Sequence, residues 1–135
     1  MLRKNAKLEL LRRVPLFSRC SGRELTRIAA VADELDMPEG RALTREGQPG
    51  REFVVLVDGS AEVRRKGRRV NTLGPGDFLG EIALLADRPR TATVTTTAQS
   101  RLLVLTGRDF RALLRELPAL QGKVLEAFAE RLPMD

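Results

Sequence analysis

The spacing of apolar positions changes character twice along the chain. Leu2, Leu8, Leu10 and Leu11 lie among basic residues ahead of Pro15, which predicts a short helix over 1–13 ended by the proline. Leu25, Ile28, Ala29, Ala32 and Leu35 then recur at helical intervals behind Ser21 and Glu24, which are spaced as a capping box. Pro38 and Gly40 close this segment, so residues 1–40 are expected to be helical. From Arg41 the period shortens. Ala42–Glu46, Phe53–Val57, Ala61–Arg65, Val70–Leu73, Thr93–Thr97 and Arg101–Leu105 are short strand-like runs. They are separated by Gln48-Pro49-Gly50, Asp58-Gly59-Ser60, Lys66-Gly67 and Ala98-Gln99-Ser100, all turn formers. Residues 41–106 therefore read as an antiparallel jelly-roll barrel. The helical period returns after Thr106, a cap for Asp109 in outline. Phe110, Leu113, Leu114 and Leu117 mark one face, and Leu120, Val124, Leu125, Phe128 and Leu132 mark a second helix started at Pro118. The expectation is one α+β domain over 1–135. Its parts are helical residues 1–40, a β-roll over 41–106 with one glycine-led interruption, and two C-terminal helices over 107–132.

Composition refines this picture. With five Phe and no Trp or Tyr, the core has to be built from Leu, Val, Ile and Ala, and 135 residues suffice for one such core. The formal charge of +6 favours polyanions as partners without bearing on the fold. Its densest run, Arg64-Arg65-Lys66-Gly67-Arg68-Arg69, reads as a solvated hairpin that blunts a sheet edge. No aromatic residues interleave with it for base stacking, and no helix-turn-helix pattern accompanies the C-terminal helices, so no DNA-binding motif is expected. The single Cys20 cannot form an intrachain disulfide, and the absence of His removes the usual activator of a nucleophilic thiol, hydrolytic triads and the common metal ligands. The expectations are no catalytic residues, no metal and no cofactor. No apolar run approaches the ~20 residues of a transmembrane helix, and no secretory signal is evident. A cytoplasmic location follows.

The remaining chemistry gathers in the interruption, Gly80-Glu81-Ile82-Ala83-Leu84-Leu85-Ala86-Asp87-Arg88-Pro89-Arg90-Thr91-Ala92, which follows the turn Gly74-Pro75-Gly76. Glycine at its entry allows close approach of a ligand to the backbone. The next five residues are good helix formers, and the amides at a helix start are donors beside a positive dipole end. Arg90 returns with a planar fork suited to bidentate contact with phosphate. Glu81 offers a carboxylate to hydroxyls such as those of a ribose.

The run Gly80-Glu81-Ile82-Ala83-Leu84 with Arg90-Thr91-Ala92 resembles the phosphate-binding cassette of cyclic nucleotide-binding domains. These occur in protein kinase A regulatory subunits, cyclic-nucleotide-gated channels and catabolite-activator-type transcription factors. The likeness extends from Val14-Pro15-Leu16-Phe17 through the Glu46-Gly47 and Asp58-Gly59 turns to the C-terminal helices. It implies a ligand site at Gly80, Glu81, Ile82, Ala83, Arg90, Thr91 and Ala92. In it Arg90, rather than Arg88, would meet the cyclic phosphate with the amides of Ala83, Thr91 and Ala92, and Glu81 would hold the ribose 2′-hydroxyl. It also implies a regulatory sensor for cAMP, with cGMP kept open by the Thr91 hydroxyl, which signals by repacking its C-terminal helices against the barrel, the partner being an effector protein or fused effector domain not present in this chain. The alternative is a ligand-independent basic adaptor of the same fold that contacts an acidic protein, lipid or nucleic acid.

Overall fold

The structure, a computed structural model, describes residues 4–80 and 88–131. Its elements are α1 (Lys4–Arg12), a 3₁₀ turn (Pro15–Phe17), α2 (Gly22–Val31), β1 (Asp33–Met37), β2 (Ala42–Thr44), β3 (Glu52–Asp58) and β4 (Ala61–Arg65). There follow β5 (Arg68–Leu73), β6 (Phe78–Leu79), β7 (Thr93–Thr96), β8 (Ser100–Thr106), α3 (Gly107–Glu116) and α4 (Pro118–Arg131). The strands form two antiparallel four-stranded sheets, ordered β1-β8-β3-β6 and β2-β7-β4-β5, which face each other as a jelly roll.

The alternation of side chains along β3 and β8 explains the layering. Phe53 and Val55 on β3, with Leu103 and Leu105 on β8, face the helices and join Leu11, Leu25, Ile28, Phe110, Leu113 and Leu120 in one core. Their neighbours Val54, Leu56, Leu102 and Val104 face the other way and, with Leu79 of their own sheet, meet Ala61, Leu73 and Val94 of the opposite sheet in a second core. A sheet covered on both faces requires apolar residues at consecutive positions, and for that reason these two strands read as unbroken apolar runs. Phe53 is fully buried. Its ring stacks on Phe110 of α3 at 4.2 Å between centroids with an 11° interplanar angle, and lies 5.4 Å from Phe78.

The helix ends behave as their sequences dictate. Ser21 Oγ accepts from the Glu24 amide at 3.2 Å, and Glu24 Oε1 accepts from the Ser21 amide at 2.8 Å, completing the capping box. Thr106 Oγ1 accepts from the Asp109 amide at 3.1 Å at the start of α3. Arg27 of α2 and Glu116 of α3 pair bidentately at 2.8 and 2.9 Å on the surface. Such an exposed pair contributes about 0–1 kcal/mol.

Several expectations need correction. Residues 1–40 are not helical throughout: α2 stops at Val31, and residues 33–37 form β1, paired from Asp33↔Val104 to Met37↔Ser100. The apolar spacing of Ala32 and Leu35 suits a helix. However, the open edge of β8 offers this segment a full ladder of main-chain partners, and Leu35 ends up 40% exposed. β2 ends at Thr44, and Phe78–Leu79 adds an unforeseen strand, β6, along β3. In α4, Leu120 and Val124 are buried as expected, whereas Leu125 is 62% exposed. Leu2, Leu132 and the side chain of Phe128 lie outside the described residues.

Because Phe53 is packed between Phe110 and Phe78, Phe53→Ala should lower the unfolding free energy by about 3–5 kcal/mol. Ser21→Ala, which removes only a cap, should cost about 1 kcal/mol. Urea denaturation followed by far-ultraviolet circular dichroism measures both.

Candidate functional site

The site begins where β6 leaves β3. Pairing of Val54 with Leu79 and Val55 with Phe78 carries the chain antiparallel along β3 toward Glu52. Gly80 comes next, with φ +105°. A Cβ there would lie 2.5 Å from the Glu52 carbonyl oxygen and 2.7 Å from Arg90 Nη1. Glycine is thus required twice, by a φ that L side chains avoid and by contact with a carbonyl on one side and a guanidinium on the other.

Arg90 fills the space that Gly80 leaves. It is 9% exposed, and its Nη2 donates to the Glu52 carbonyl at 2.8 Å. Arg88, two residues earlier and chemically identical, is exposed. Both are permanently charged, so the contrast in burial separates a placed cation from a solvated one.

Main-chain hydrogen bonds fix the segment that carries Arg90. Its amide donates to the Gln48 carbonyl at 2.8 Å, and its carbonyl accepts from the Gly47 amide at 2.9 Å. The Thr91 carbonyl accepts from Arg65 Nε at 3.1 Å, and the Ala92 carbonyl accepts from Thr44 Oγ1 at 3.0 Å. Around these, the Glu46 amide donates to Thr93 Oγ1 at 3.0 Å, and Glu46 Oε1 accepts from the Lys66 amide at 2.9 Å. A trans peptide is planar, with its C=O and N–H pointing in opposite directions. With the Arg90 carbonyl aimed at Gly47, the Thr91 N–H points away from the 45–48 turn. With the Thr91 carbonyl aimed at Arg65, the Ala92 N–H points away from the β4–β5 hairpin.

The structure therefore brings Gly80 and Arg90 into contact and sets Thr91 (half-buried) and Ala92 (buried) beside them. Glu81, Ile82 and Ala83, with the rest of the run to Asp87, lie outside the described residues. Three contributors escaped the sequence reading: the Glu52 carbonyl, the Thr44 hydroxyl and Arg65. The first is a main-chain group and leaves no trace in the side-chain pattern. Arg65 did leave one. Ala61, Val63 and Arg65 alternate along β4, and Ala61 and Val63 pack into the inter-sheet core, so period-two alternation turns Arg65 inward.

Other features stand apart from this site. A cavity of about 170 Å³ lined by Leu10, Arg13, Val14, Val57, Asp58, Pro75 and Gly76 lies at the far end of β3 from Glu52. It is smaller than the ~300–1,000 Å³ usual for a small-molecule pocket. Cys20 is half-buried against the helical core, and burial followed by the charge of Glu24 pushes its thiol above the ordinary range. Among the described residues no group of acidic or thiol side chains could hold a metal ion, and no helix is long and apolar enough to cross a membrane.

Residues 34–116 match the sequence profile of the cyclic nucleotide-binding domain. The chain belongs to that family. This cyclic nucleotide-binding domain is 39% identical over 124 residues to a cAMP-dependent protein kinase regulatory subunit of Mycosarcoma maydis, covering 87% of the chain and 23% of the relative. Its fold matches the regulatory domain of Toxoplasma gondii PKA crystallised with cAMP, at a TM-score of 0.84 and 22% identity over 95% of this chain and 50% of that one. It also matches the Thermus thermophilus catabolite activator protein, at a TM-score of 0.80 and 27% identity over 89% and 59% of the two chains. The domain spans about a quarter to a third of the length of curated relatives such as the kinase regulatory subunits, 23% and 32% in two of them.

Gly80→Ala should destabilise the domain by at least ~1–3 kcal/mol from backbone strain alone, with the contact at Glu52 adding to it. A shift of the urea midpoint measures the loss, and a midpoint equal to the native one would contradict the Gly80–Glu52–Arg90 arrangement. The raised Cys20 pKa predicts slow alkylation by iodoacetamide at neutral pH, because the thiolate is the reactive form. The rate should still be climbing above the pH at which a free cysteine peptide levels off.

Proposed function

We propose that this domain is a non-catalytic sensor that binds a cyclic nucleotide reversibly, cAMP in preference to cGMP. The observation that carries the reading is Arg90, a buried guanidinium seated against Gly80 and Glu52 on a main chain pinned from both sides. Its planar fork suits two oxygens of one phosphate, and the Thr91 and Ala92 amides would add neutral donors beside it. Gly80, Glu81, Ile82 and Ala83 would complete the site from the other side, with Glu81 accepting from the ribose 2′-hydroxyl. Membership of the family and likeness to cAMP-dependent regulatory subunits support cAMP as the ligand. The Thr91 hydroxyl, able to hydrogen-bond a guanine amine, keeps cGMP as the weaker competitor.

The signal would travel through β3. Glu52, whose carbonyl holds Arg90, is followed by Phe53, whose ring stacks on Phe110 of α3. A ligand that moves Arg90 therefore acts one residue away from the contact between the roll and the C-terminal helices. It shifts a pre-existing balance between two packings of α3 and α4 only by its difference in affinity for them, about 10⁴-fold for a swing from 1:99 to 99:1. Leu120 and Val124, buried on α4, are the side chains such repacking would move. The output is an effector, attached or separate, as the spread of relatives from kinase regulators to a catabolite activator suggests.

A ligand-independent adaptor is favoured by one observation, the exposed basic tip Arg64, Lys66, Arg68 and Arg69. Calorimetric titration separates the two readings. The sensor should bind cAMP with micromolar or tighter affinity, and Arg90→Ala should weaken it at least tenfold, since a charge-assisted hydrogen bond contributes ~1.5–3 kcal/mol. Arg88→Ala should leave it nearly unchanged. Silence toward both nucleotides in the native protein, with salt-sensitive capture of polyanions, would give the case to the adaptor.

A further inference from the structure

Five cations crowd the β4–β5 hairpin, and they are not equivalent. Arg64, Lys66, Arg68 and Arg69 are exposed, whereas Arg65 is half-buried. Arg64 is occupied locally, with Nε on the Glu62 carboxylate at 2.6 Å and Nη1 on the Gly67 carbonyl at 3.1 Å. Arg65 reaches out of the hairpin. It follows Ala61 and Val63 on the inward face of β4, and the antiparallel register of β4 with β7 (Ala61↔Thr96 to Arg64↔Thr93) brings it level with the segment that returns from Arg90. There its Nε donates to the Thr91 carbonyl at 3.1 Å.

We infer that Arg65 is a positioning residue of the anion site, acting on the ligand through the Thr91–Ala92 peptide. This rests on the cyclic nucleotide reading. The mechanism is that of one planar peptide with a cation at its oxygen. Arg65 fixes the direction of the Thr91 C=O, and planarity then fixes the Ala92 N–H pointing the opposite way. A cation donating to the oxygen also draws electrons through the amide, so the N–H at the other end becomes a stronger donor, as hydrogen bonds in a chain polarise one another. A phosphate taken by the Ala92 amide would thus feel Arg65 without touching it. The hairpin backbone supports this placement: the Lys66 amide, with Lys66 at φ +53°, is held by Glu46, whose own amide donates to Thr93 Oγ1. The hairpin that looks like a solvated charge run is therefore, at Arg65, one wall of the site.

The neighbouring cations serve as internal controls in the test. Affinities for cAMP and cGMP are measured by calorimetry at 150 mM salt on the native domain and on Arg65→Met, Arg65→Gln, Arg64→Met, Arg68→Met and Arg69→Met. Arg65→Met should weaken both nucleotides by up to about tenfold, because the Ala92 donor loses its fixed direction and its polarisation. Arg65→Gln, which keeps a neutral donor, should fall between it and native. The three control variants should change affinity less than about twofold, because exposed charges are screened over ~8 Å at this salt. On saturation with cAMP, the Ala92 amide proton should move downfield in the native domain and less so in Arg65→Met, a difference that a purely structural role would not produce. Equal losses across all four methionine variants would reveal a diffuse charge effect and overturn the inference, as would an Ala92 shift independent of Arg65. If Arg65→Met does not fold, Arg65→Gln decides, and native affinity in it overturns the proposal. Native protein silent to both nucleotides would instead defeat the sensor reading itself, a different outcome visible before any variant is made.

Discussion

A carbonyl oxygen, a guanidinium and a missing side chain meet at one point, and the candidate site of this domain depends on that meeting. The Glu52 carbonyl accepts from Arg90 at 2.8 Å, and Gly80 lies close enough to both that a single added carbon would collide with each. A buried cation is costly unless its surroundings are polar and well aimed. Here the aim comes from β3, a strand with little freedom to move. It lies between β8 and β6 in its sheet and is packed on both faces. A strand held at both edges and on both faces thus anchors a buried guanidinium.

The second ingredient is preorganisation of the chain around Arg90. The 45–48 turn, the β4–β5 hairpin and the Thr44 hydroxyl take the carbonyls of Arg90, Thr91 and Ala92 in succession. The two neutral bonds are modest, near 1 kcal/mol net, and the charged one from Arg65 is stronger; together they fix three consecutive peptide planes. For the ligand proposed above, a loop ordered in advance would subtract nothing from affinity at the moment of binding. The same pins separate two equal arginines: Arg90 lies inside the pinned stretch and is buried, while Arg88 precedes it and is solvated.

Regularities that depend on near neighbours were legible in the residues. The Ser21–Glu24 capping box, the Thr106 cap, the start of α4 at Pro118 and most strands follow from local chemistry, and each formed where expected. The readings that failed were those in which a distant partner outweighed the local pattern. Residues 33–37 carry helical spacing but pair with β8, about seventy positions later. Phe78–Leu79 is too short to announce itself, and β3 gives it a partner. Leu125 fits an apolar stripe but faces solvent. Arg65 was counted with its charged neighbours because composition outvoted alternation.

The sequence by itself determined the inventory: a Leu- and Val-built core, the alternation that makes a double-faced sheet, a glycine-led insertion and an arginine able to meet a phosphate. These are properties of residue types and of separations shorter than a helical turn, and the chain carries them into any environment. Tertiary structure alone decided which carbonyl receives Arg90, and that a residue of the basic hairpin turns inward to hold Thr91. Each of those outcomes is a contact between segments tens of residues apart, whose approach is set by sheet register and core packing, and neither quantity is written in any local stretch of chain.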